Sequence, residues 1–515
     1  MRIPLRIFSF LVALAMLLPL AYLVVRGSAV GFDKAVDLIL RVRTLQVIGN
    51  SAALAICVTL VSLLISLPLA WLTVRTDLPW RKGWTVLATM PLVIPSYVGG
   101  FALVAMMGPR GMVQELLAPL GVERLPSIYG FPGALWALSL FTYPYLFLSV
   151  RAGLRNLDPA IEEAARSLGY SALRAFLQMT LPSLRPAITV GCLLVLLYTL
   201  SDFGAVSLLR FNSFTRAIYL QYLSGFDRSL AALLSLILVL LTVLLLLAEQ
   251  RSRGQIRYYR SGAGVMRRRQ QVALGRWRIP ALLFCGAVVS AALFLPTGVV
   301  LFWLARGLAA GDSLLPVWVV TRNSIYAGAL AAGAAIVLAV PVAYYSGRYP
   351  SRWSSLIAQS VYVGNGLPGI VIALSLVFFG ATYAPWLYQT LAMLVFAYVV
   401  RFLPQAVGSV QSCLEQLSPR LEEAARSLGL NRRQVFLRVI APLLRPGILT
   451  GSALVFLTTI KELPATLLLG PTGFGTLATQ IWSATDEAFF ARAAMPALLL
   501  LLISALSIFL ILSQE

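Results

Sequence analysis

Three ionisable residues interrupt apolar stretches of this 515-residue chain: Asp202, Lys461 and Glu462. A charged side chain in the hydrocarbon core of a membrane is costly, so such residues usually face a cavity or an ionic partner. Because carboxylate oxygens are ligands for hard cations, Asp202 and Glu462 are candidates to line the route of such a cation as transient contacts. The alternative is an ion pair between Lys461 and Asp202 that clamps the two halves of the chain, and the two hypotheses can coexist.

Residues suited to a resident metal ion or to nucleophilic catalysis are few and scattered. The chain has no histidine, and its four cysteines form no C-x-x-C pair. Zinc sites, haem sites and His-based catalytic triads draw on these residue types. The sequence therefore predicts no catalytic residue and no firmly bound metal.

Proline and glycine clusters occur at matching places along the chain. The clusters are Pro91, Pro95, Gly99 and Gly100, and then Gly364, Gly366, Pro368 and Gly369. Paired breaks of this kind mark binding regions in transporters, where unwound backbone is tolerated if it lines a cavity. Small residues that allow close helix packing are the alternative explanation. We place Pro95 and Pro368 on the candidate substrate route, together with the three ionisable residues.

The composition is that of an integral membrane protein. Hydrophobic residues make up 59% of the chain and charged residues 12%, and the mean hydropathy is +0.86. Apolar runs such as 230–247 and 493–512 are long enough to cross a hydrocarbon core, which takes about 20 helical residues. The net charge of +22 is distributed between the apolar runs, which argues against a nucleic-acid-binding domain.

The distribution of basic residues predicts the topology. With a cytoplasmic N-terminus, 28 of the 41 lysines and arginines fall on the inner side. They lie near the N-terminus and in segments 75–82, 151–185, 251–278, 348–352 and 401–445. This is the positive-inside bias, and it predicts that both termini are cytoplasmic.

The chain contains an internal repeat. The matched residues are Asn50-Ser51 with Asn323-Ser324, Pro68 with Pro341, Pro95 with Pro368, Glu163 with Glu423, Gly169 with Gly429 and Pro182 with Pro442. Such self-similarity indicates a duplicated structural unit, and each half contains six apolar spans. We predict an all-α membrane protein of about 12 transmembrane helices, divided into a first half (1–249), a basic cytoplasmic linker (250–279) and a second half (280–515).

The most similar pair of segments, 157–169 and 417–429, is polar and lies before the fifth span of each half. Asp158 and Ser418 are expected to be helix N-caps, with a proline next to each. Gly169 and Gly429 suit the left-handed residue that ends a helix. A second short helix, capped by Ser171 or Asn431, follows. An amphipathic loop that packs under its own helices is one interpretation, but near-identity between two copies favours recognition by an outside partner.

These segments resemble E-A-A-x3-G-x9-I-x-L-P, the cytoplasmic signature of permease subunits of ATP-binding-cassette importers. The matching residues are Glu163, Ala164, Ala165, Gly169 and Pro182, and then Glu423, Ala424, Ala425, Gly429 and Pro442. Met179 and Val439 stand for isoleucine, and Ala441 stands for leucine. The resemblance implies the type I importer (MetI-like) permease fold, in which two coupling loops, here 155–182 and 415–442, dock on a dimer of ATPase subunits.

The chain lacks the means to hydrolyse ATP. It has three lysines and none follows a glycine, so there is no P-loop. The resemblance therefore implies that ATP, with Mg²⁺, is used by separate ATPase subunits and that this chain binds no cofactor. It also implies a bacterial inner-membrane location and an extracytoplasmic substrate-binding protein as partner. No nucleic acid partner is expected.

Residues around the ionisable positions narrow the resemblance. Two pairs of equivalent stretches look like those of ferric-iron importer permeases. They are 201–206 with 461–466 and, further along the chain, 214–219 with 476–482. Asp202 and Glu462 then become expected transient contacts of Fe³⁺. Fused permeases for thiamine or phosphonates share the architecture and stay open as alternatives. An ion-gradient-driven secondary transporter is the rival of another class, and a membrane-anchored scaffold is a third hypothesis.

Overall fold

The computed structural model describes residues 2–29, 31–109, 111–122, 124–157, 165, 167–224, 229–253, 272–311 and 315–512. Within these ranges the chain is helical, and extended pairing is limited to one bridge between Thr76 and Val272. Eight helices are long and apolar enough to cross a membrane, and four bent helix pairs raise the number to as many as 12. The prediction of an all-α membrane protein with about 12 spans is confirmed.

The spans follow the predicted order and are numbered here along the chain. They are Arg2–Ser28 (first), Val42–Arg75 (second), Arg81–Thr89 with Ser96–Met107 (third), Phe131–Asn156 (fourth), Arg185–Ser201 (fifth), Ser229–Arg253 (sixth), Gly275–Ala309 (seventh), Leu315–Arg348 (eighth), Arg352–Gly366 with Gly369–Tyr383 (ninth), Leu391–Glu415 (tenth), Arg445–Ile460 (eleventh) and Phe490–Leu512 (twelfth). Shorter helices are Phe32–Leu40, Met112–Leu117, Gly204–Leu208, Phe214–Ser224, Arg420–Ser427, Pro464–Leu469 and Leu477–Asp486.

The third and ninth spans are broken at the proline and glycine clusters, as predicted. The helix axis turns by 91° before Ser96 and by 99° before Gly369. Pro95 and Pro368 cap the helices that follow, in keeping with a residue that cannot donate a backbone hydrogen bond to a preceding turn. Close packing also applies, because a side chain at Gly99 would overlap the ring of Phe141.

The chain forms two compact units that do not coincide with the two sequence halves. One unit comprises residues 1–41, 217–239 and 300–515, and the other comprises 42–216 and 240–299. Each unit thus contains the first apolar helix of the opposite half. In the first of these units the Tyr22 hydroxyl donates to the Phe378 carbonyl, and the Tyr22 ring packs edge-on against Phe379 at 5.9 Å. The predicted division into a first half (1–249), a linker (250–279) and a second half (280–515) describes the sequence repeat. As a division into domains it stays a prediction.

The repeated Asn-Ser pairs have one structural role in both copies. The Ser51 hydroxyl accepts a hydrogen bond from the Phe214 N–H at 2.9 Å, and the Ser324 hydroxyl accepts one from the Leu477 N–H at 2.8 Å. Phe214 and Leu477 are the first residues of equivalent short helices, whose leading N–H groups have no partner inside the helix. The serines satisfy these buried donors and fix the segment that follows the fifth or eleventh span. The neighbouring Asn50 and Asn323 donate to nearby carbonyls.

We expect Ser324→Ala to lower the stability of the chain by about 1–3 kcal/mol, because it leaves the buried Leu477 N–H without its acceptor. Ser375→Ala is the matched control, since the buried Ser375 hydroxyl donates only to the Val371 carbonyl of its own helix. Thermal unfolding of the purified protein in detergent measures both variants. Equal losses of stability in the two would contradict this role.

The end of the basic linker returns to the end of the second span. The Val272 N–H donates to the Arg75 carbonyl at 2.8 Å, and the Leu274 N–H donates to Asp77 Oδ1 at 2.9 Å. These contacts place the start of the seventh span beside the end of the second. The arginine-rich stretch 254–271 lies outside the described residues.

Candidate functional site

The second coupling loop contains the two short helices that the sequence predicted. The first helix is Arg420–Ser427, and Gly429 follows it with φ 85° in the left-handed region. The Leu430 N–H donates to the Ala425 carbonyl, which closes the helix end in the manner expected of a C-terminal glycine. One detail differs, because Pro419 and not Ser418 is the N-cap. The helix starts one residue later than predicted because the first bond of the helical i+4 pattern runs from the Glu423 N–H to the Pro419 carbonyl, whereas the Ser418 carbonyl accepts from the Leu421 N–H.

The second short helix in this loop is capped as predicted. The Asn431 side chain accepts from the Gln434 N–H, and the Gln434 side chain accepts from the Asn431 N–H. This reciprocal capping box satisfies two donors at once. The helix widens to a π turn over Phe436–Ile440. After Pro442 the axis bends by 64° into the eleventh span.

The first coupling loop repeats this geometry where it is described. Gly169 has φ 88°, and the Tyr170 N–H donates to the Ala165 carbonyl. Ser171 accepts from the Arg174 N–H, as the predicted cap. The bend into the fifth span after Pro182 is 61°. Glu163 and Ala164, both predicted coupling residues, lie outside the described residues, as does Asp158.

Both loops expose apolar side chains that are equivalent in the repeat. Leu168 is 79% exposed and Leu428 is 83% exposed, and Leu177 and Leu437 are each about half exposed. In the second loop Glu423 and Ala424 are also exposed, whereas Ala425 is buried. Exposed leucines thus recur at two equivalent positions of the two loops.

The residue before the signature glutamate has the opposite orientation. Glu422 is 6% exposed. Its Oε1 accepts from Arg348 Nε at 2.6 Å, and its Oε2 accepts from the Tyr344 hydroxyl at 3.0 Å. Both partners lie in the last turns of the eighth span. Sequence reasoning missed this contact, because the two adjacent glutamates look equivalent until the helix phase is known.

Glu462, a predicted pathway residue, pairs with Arg401, which was expected in an inner loop. Arg401 Nη1 donates to Glu462 Oε1 at 2.8 Å. The pair lies directly over Gly369, where a side chain would overlap both groups. Pro368, Gly369 and Glu462 are thus brought together at the break of the ninth span, and their place on a substrate route stays a prediction. Arg401 was predicted to lie in an inner loop, and that was wrong, because it lies inside the tenth span.

The other compact unit brings Asp202 to the corresponding place. Asp202 is buried, and its Oδ1 accepts from the Ala205 N–H at 3.0 Å in the first turn of the short helix Gly204–Leu208. A side chain at Gly204 would meet Tyr97, two residues after Pro95. Each carboxylate therefore lies at a helix break that packs against the broken span of its own unit. The alternative pair of Lys461 with Asp202 stays a prediction.

A small polar cavity adjoins Glu462. Its volume is about 10 Å³, and Ser324, Tyr398, Thr459, Glu462, Thr466 and Thr476 contribute to its wall. The Tyr398 hydroxyl lies 2.7 Å from Thr466 Oγ1. Within the described ranges the buried Thr459 hydroxyl has no hydrogen-bond partner. A polar cavity of this size holds about one water molecule.

A polar stripe continues along the tenth span from Arg401. Arg401, Gln405, Gly408, Ser412 and Glu415 are spaced by three or four residues and share one helix face. At the end of this face is a groove of about 430 Å³, which Gln411 and Glu415 also line. Exposed polar groups within a span need water or protein around them, since lipid offers no hydrogen bonds. The stripe is therefore suited to face an aqueous route.

The described part of the chain contains no group of three His, Cys, Asp or Glu side chains that could hold a metal ion. Each of the two helix breaks has one carboxylate, Asp202 at one and Glu462 at the other. A single carboxylate does not fill the coordination shell of a hard cation, which takes about six oxygen ligands. Any cation that passes there would meet the carboxylates one at a time.

Comparison with known proteins agrees with the duplicated architecture. The family described as "Binding-protein-dependent transport system inner membrane component" matches residues 62–253 and 335–514. Each matched stretch contains one coupling loop and one of the two carboxylates.

Relatives with different named substrates match the chain to different extents. The "Fe(3+)-transport system permease protein FbpB 2" of Haemophilus influenzae is 33% identical over 98% of this chain and 97% of that protein. The "Molybdenum transport system permease protein ModB" of Escherichia coli is 33% identical over 30% of this chain and 69% of that protein. The "Sulfate transport system permease protein CysT" of Salmonella typhimurium is 26% identical over 46% of this chain and 86% of that protein.

Proposed function

The chain belongs to the family of inner-membrane components of binding-protein-dependent ABC importers, and we propose that its own substrate is ferric iron. The observation that carries the proposal is the 33% identity to a ferric permease over 98% of the chain, including both halves. The molybdenum and sulfate permeases match less than half of it. The buried carboxylates at the two helix breaks add support, because oxygen ligands suit a hard cation.

In the proposed cycle a binding protein delivers ferric iron from the outer side. Two ATPase subunits bind the coupling loops, and their closure on ATP moves the loops and alternates access to the route. The route passes the carboxylates of Asp202 and Glu462 and continues along the polar stripe of the tenth span. ATP thus shifts the balance between conformations by binding one of them more tightly. Both termini lie in the cytoplasm in this proposal.

The signature glutamates are proposed to face the ATPase subunits. Glu423 is exposed on the coupling helix, so reversing its charge changes the contact surface without burying a charge. We expect the double variant Glu163→Arg, Glu423→Arg to insert normally but to uncouple ATP hydrolysis from uptake. Uptake in cells and ATPase activity of the purified complex measure the two effects. Intact uptake in the double variant would refute the assignment of the coupling loops.

The substrate is tested by uptake of radiolabelled ferric iron in cells with and without the chain. Unlabelled thiamine, phosphonate, molybdate and sulfate serve as competitors in separate arms. We expect chain-dependent iron uptake that none of the four reduces. Absence of chain-dependent iron uptake would refute the substrate while leaving family membership unchanged. Competition by one of the four would show that the chain also accepts that compound and would contradict selectivity for iron.

A further inference from the structure

The coupling helix Arg420–Ser427 is tied to a membrane span through its inner face. In this helix Glu422 and Ala425 are the buried residues. Glu422 is the charged one, and it makes the contacts with Arg348 and Tyr344 described above. The outer face of the same helix exposes Glu423. One helix turn therefore has a face available to a partner and a face bonded to the eighth span.

Arg348 holds the coupling loop at two points. Its Nε donates to Glu422 Oε1 at 2.6 Å, and its Nη2 donates to the Leu417 carbonyl at 2.9 Å. Leu417 precedes the coupling helix, and Glu422 lies within it. Because the guanidinium is planar and rigid, two bonds fix the orientation of the helix and not only its distance from the span. The third bond, from the Tyr344 hydroxyl to Glu422 Oε2 at 3.0 Å, comes from one helix turn earlier in the eighth span.

Because the contact is largely buried, loss of either partner is expected to be costly. The exposed fractions of the Arg348 and Glu422 side chains are 12% and 7%. Removal of one partner from such a pair leaves a desolvated charge and is strongly unfavourable. Arg426 lies 3.6 Å from Glu422 but is 43% exposed, so it contributes little in comparison.

The first repeat has an arginine at the position equivalent to Arg348. Arg75 ends the second span as Arg348 ends the eighth, and it is 5% exposed. Its Nε has no hydrogen-bond partner among the described residues. The signature residues 158–164 of the first coupling loop are outside those ranges. An arginine whose side chain is largely covered ends both equivalent spans, which agrees with a device that each half needs.

We propose that Arg348 and Tyr344 are positioning residues that lock Glu422, so that the second coupling helix and the eighth span move as one body during transport. The inference rests on the proposed function, since it assigns how force from an ATPase subunit reaches the membrane. Without the lock, the docked helix would tilt under load and the span would not follow. The lock acts through the coupling helix and does not touch the substrate.

The test compares Arg348→Gln and Glu422→Gln with the control Arg41→Gln in the full chain, since Arg41 forms an exposed ion pair with Asp37 outside both coupling loops. The complex with its ATPase subunits is purified, and iron transported per ATP hydrolysed is measured in proteoliposomes with the ferric-loaded binding protein. We expect the two lock variants to retain ATPase binding while this ratio falls about tenfold, and the control to resemble the wild type. The exchanged pair Arg348→Glu, Glu422→Arg should recover part of the ratio. Equal ratios in lock and control variants would overturn the proposal.

Hydrogen exchange of the chain in detergent provides a readout that needs neither substrate nor ATPase. We expect Arg348→Gln to reduce the protection of amides 420–427 at least about tenfold, through local opening of the coupling helix, and Arg41→Gln to leave it unchanged. Unchanged protection in Arg348→Gln would refute the lock even if the chain imports iron. Failure of the wild-type chain to bind ATPase subunits would refute the proposed function instead, and the exchange result would still decide whether the lock exists.

Discussion

Arg401→Leu is expected to abolish uptake and to lower the stability of the chain by about 3–5 kcal/mol, because it leaves the Glu462 carboxylate buried without its charged partner. The Arg401 to Glu462 contact is 2.8 Å long, and the carboxylate is 6% exposed. Gly369 lies beneath the pair, so loss of the guanidinium also opens the break of the ninth span. Thermal unfolding in detergent measures the stability, and uptake of radiolabelled ferric iron measures the function.

A double variant separates these two effects. Arg401→Leu combined with Glu462→Gln removes both charges, so most of the lost stability should return, since a neutral pair no longer carries the cost of a buried ion. Uptake should stay low if Glu462 contacts the substrate. Asp202→Asn should likewise reduce uptake without loss of ATPase binding. Full uptake in the double variant would contradict a role of Glu462 on the route and leave the pair as a structural clamp.

The second large effect is expected at the exposed leucines of the coupling loops. Leu168→Asp with Leu428→Asp should weaken binding of the ATPase subunits by at least about tenfold per loop, because a charge replaces an apolar side chain whose burial contributes about 1.5–3 kcal/mol. Both leucines are among the most exposed apolar residues of the described chain. Co-purification of the ATPase subunits with the tagged chain measures the loss.

Leu120→Asp is the matched control for this double variant. Leu120 is 76% exposed but lies between the third and fourth spans, on the outer side in the proposed topology. Its substitution should leave ATPase binding unchanged. Equal co-purification of the ATPase subunits with the wild type, the double variant and the Leu120→Asp control would show that the leucines do not form the docking surface.

Local features of the site followed from the sequence because they depend on short-range physics. The left-handed Gly169 and Gly429, the Asn431 cap and the breaks at Pro95 and Pro368 are each set by the conformational limits of one or two residues. Their repetition at fixed spacing made the prediction stronger than a single occurrence.

Features that depend on helix phase and on distant packing did not follow from the sequence. Whether Glu422 or Glu423 points inward depends on how the coupling helix packs against the eighth span. The pairing of Arg401 with Glu462 joins the tenth and eleventh spans and was hidden because Arg401 was counted with the inner loop. The signal that could have revealed this pairing is the position of Arg401, ten residues after the start of an apolar segment at Leu391. The exchange of first helices between the two compact units is likewise a property of tertiary packing.

Transport by the reconstituted complex tests the central claim most directly. The chain, its ATPase subunits and the ferric-loaded binding protein are assembled in proteoliposomes of defined orientation, with Mg²⁺-ATP supplied only on the side of the coupling loops. The account predicts accumulation of iron that requires ATP hydrolysis and both coupling loops, and that persists when a protonophore removes the ion gradient. Accumulation without ATP that collapses with the protonophore would contradict it and identify an ion-gradient-driven transporter.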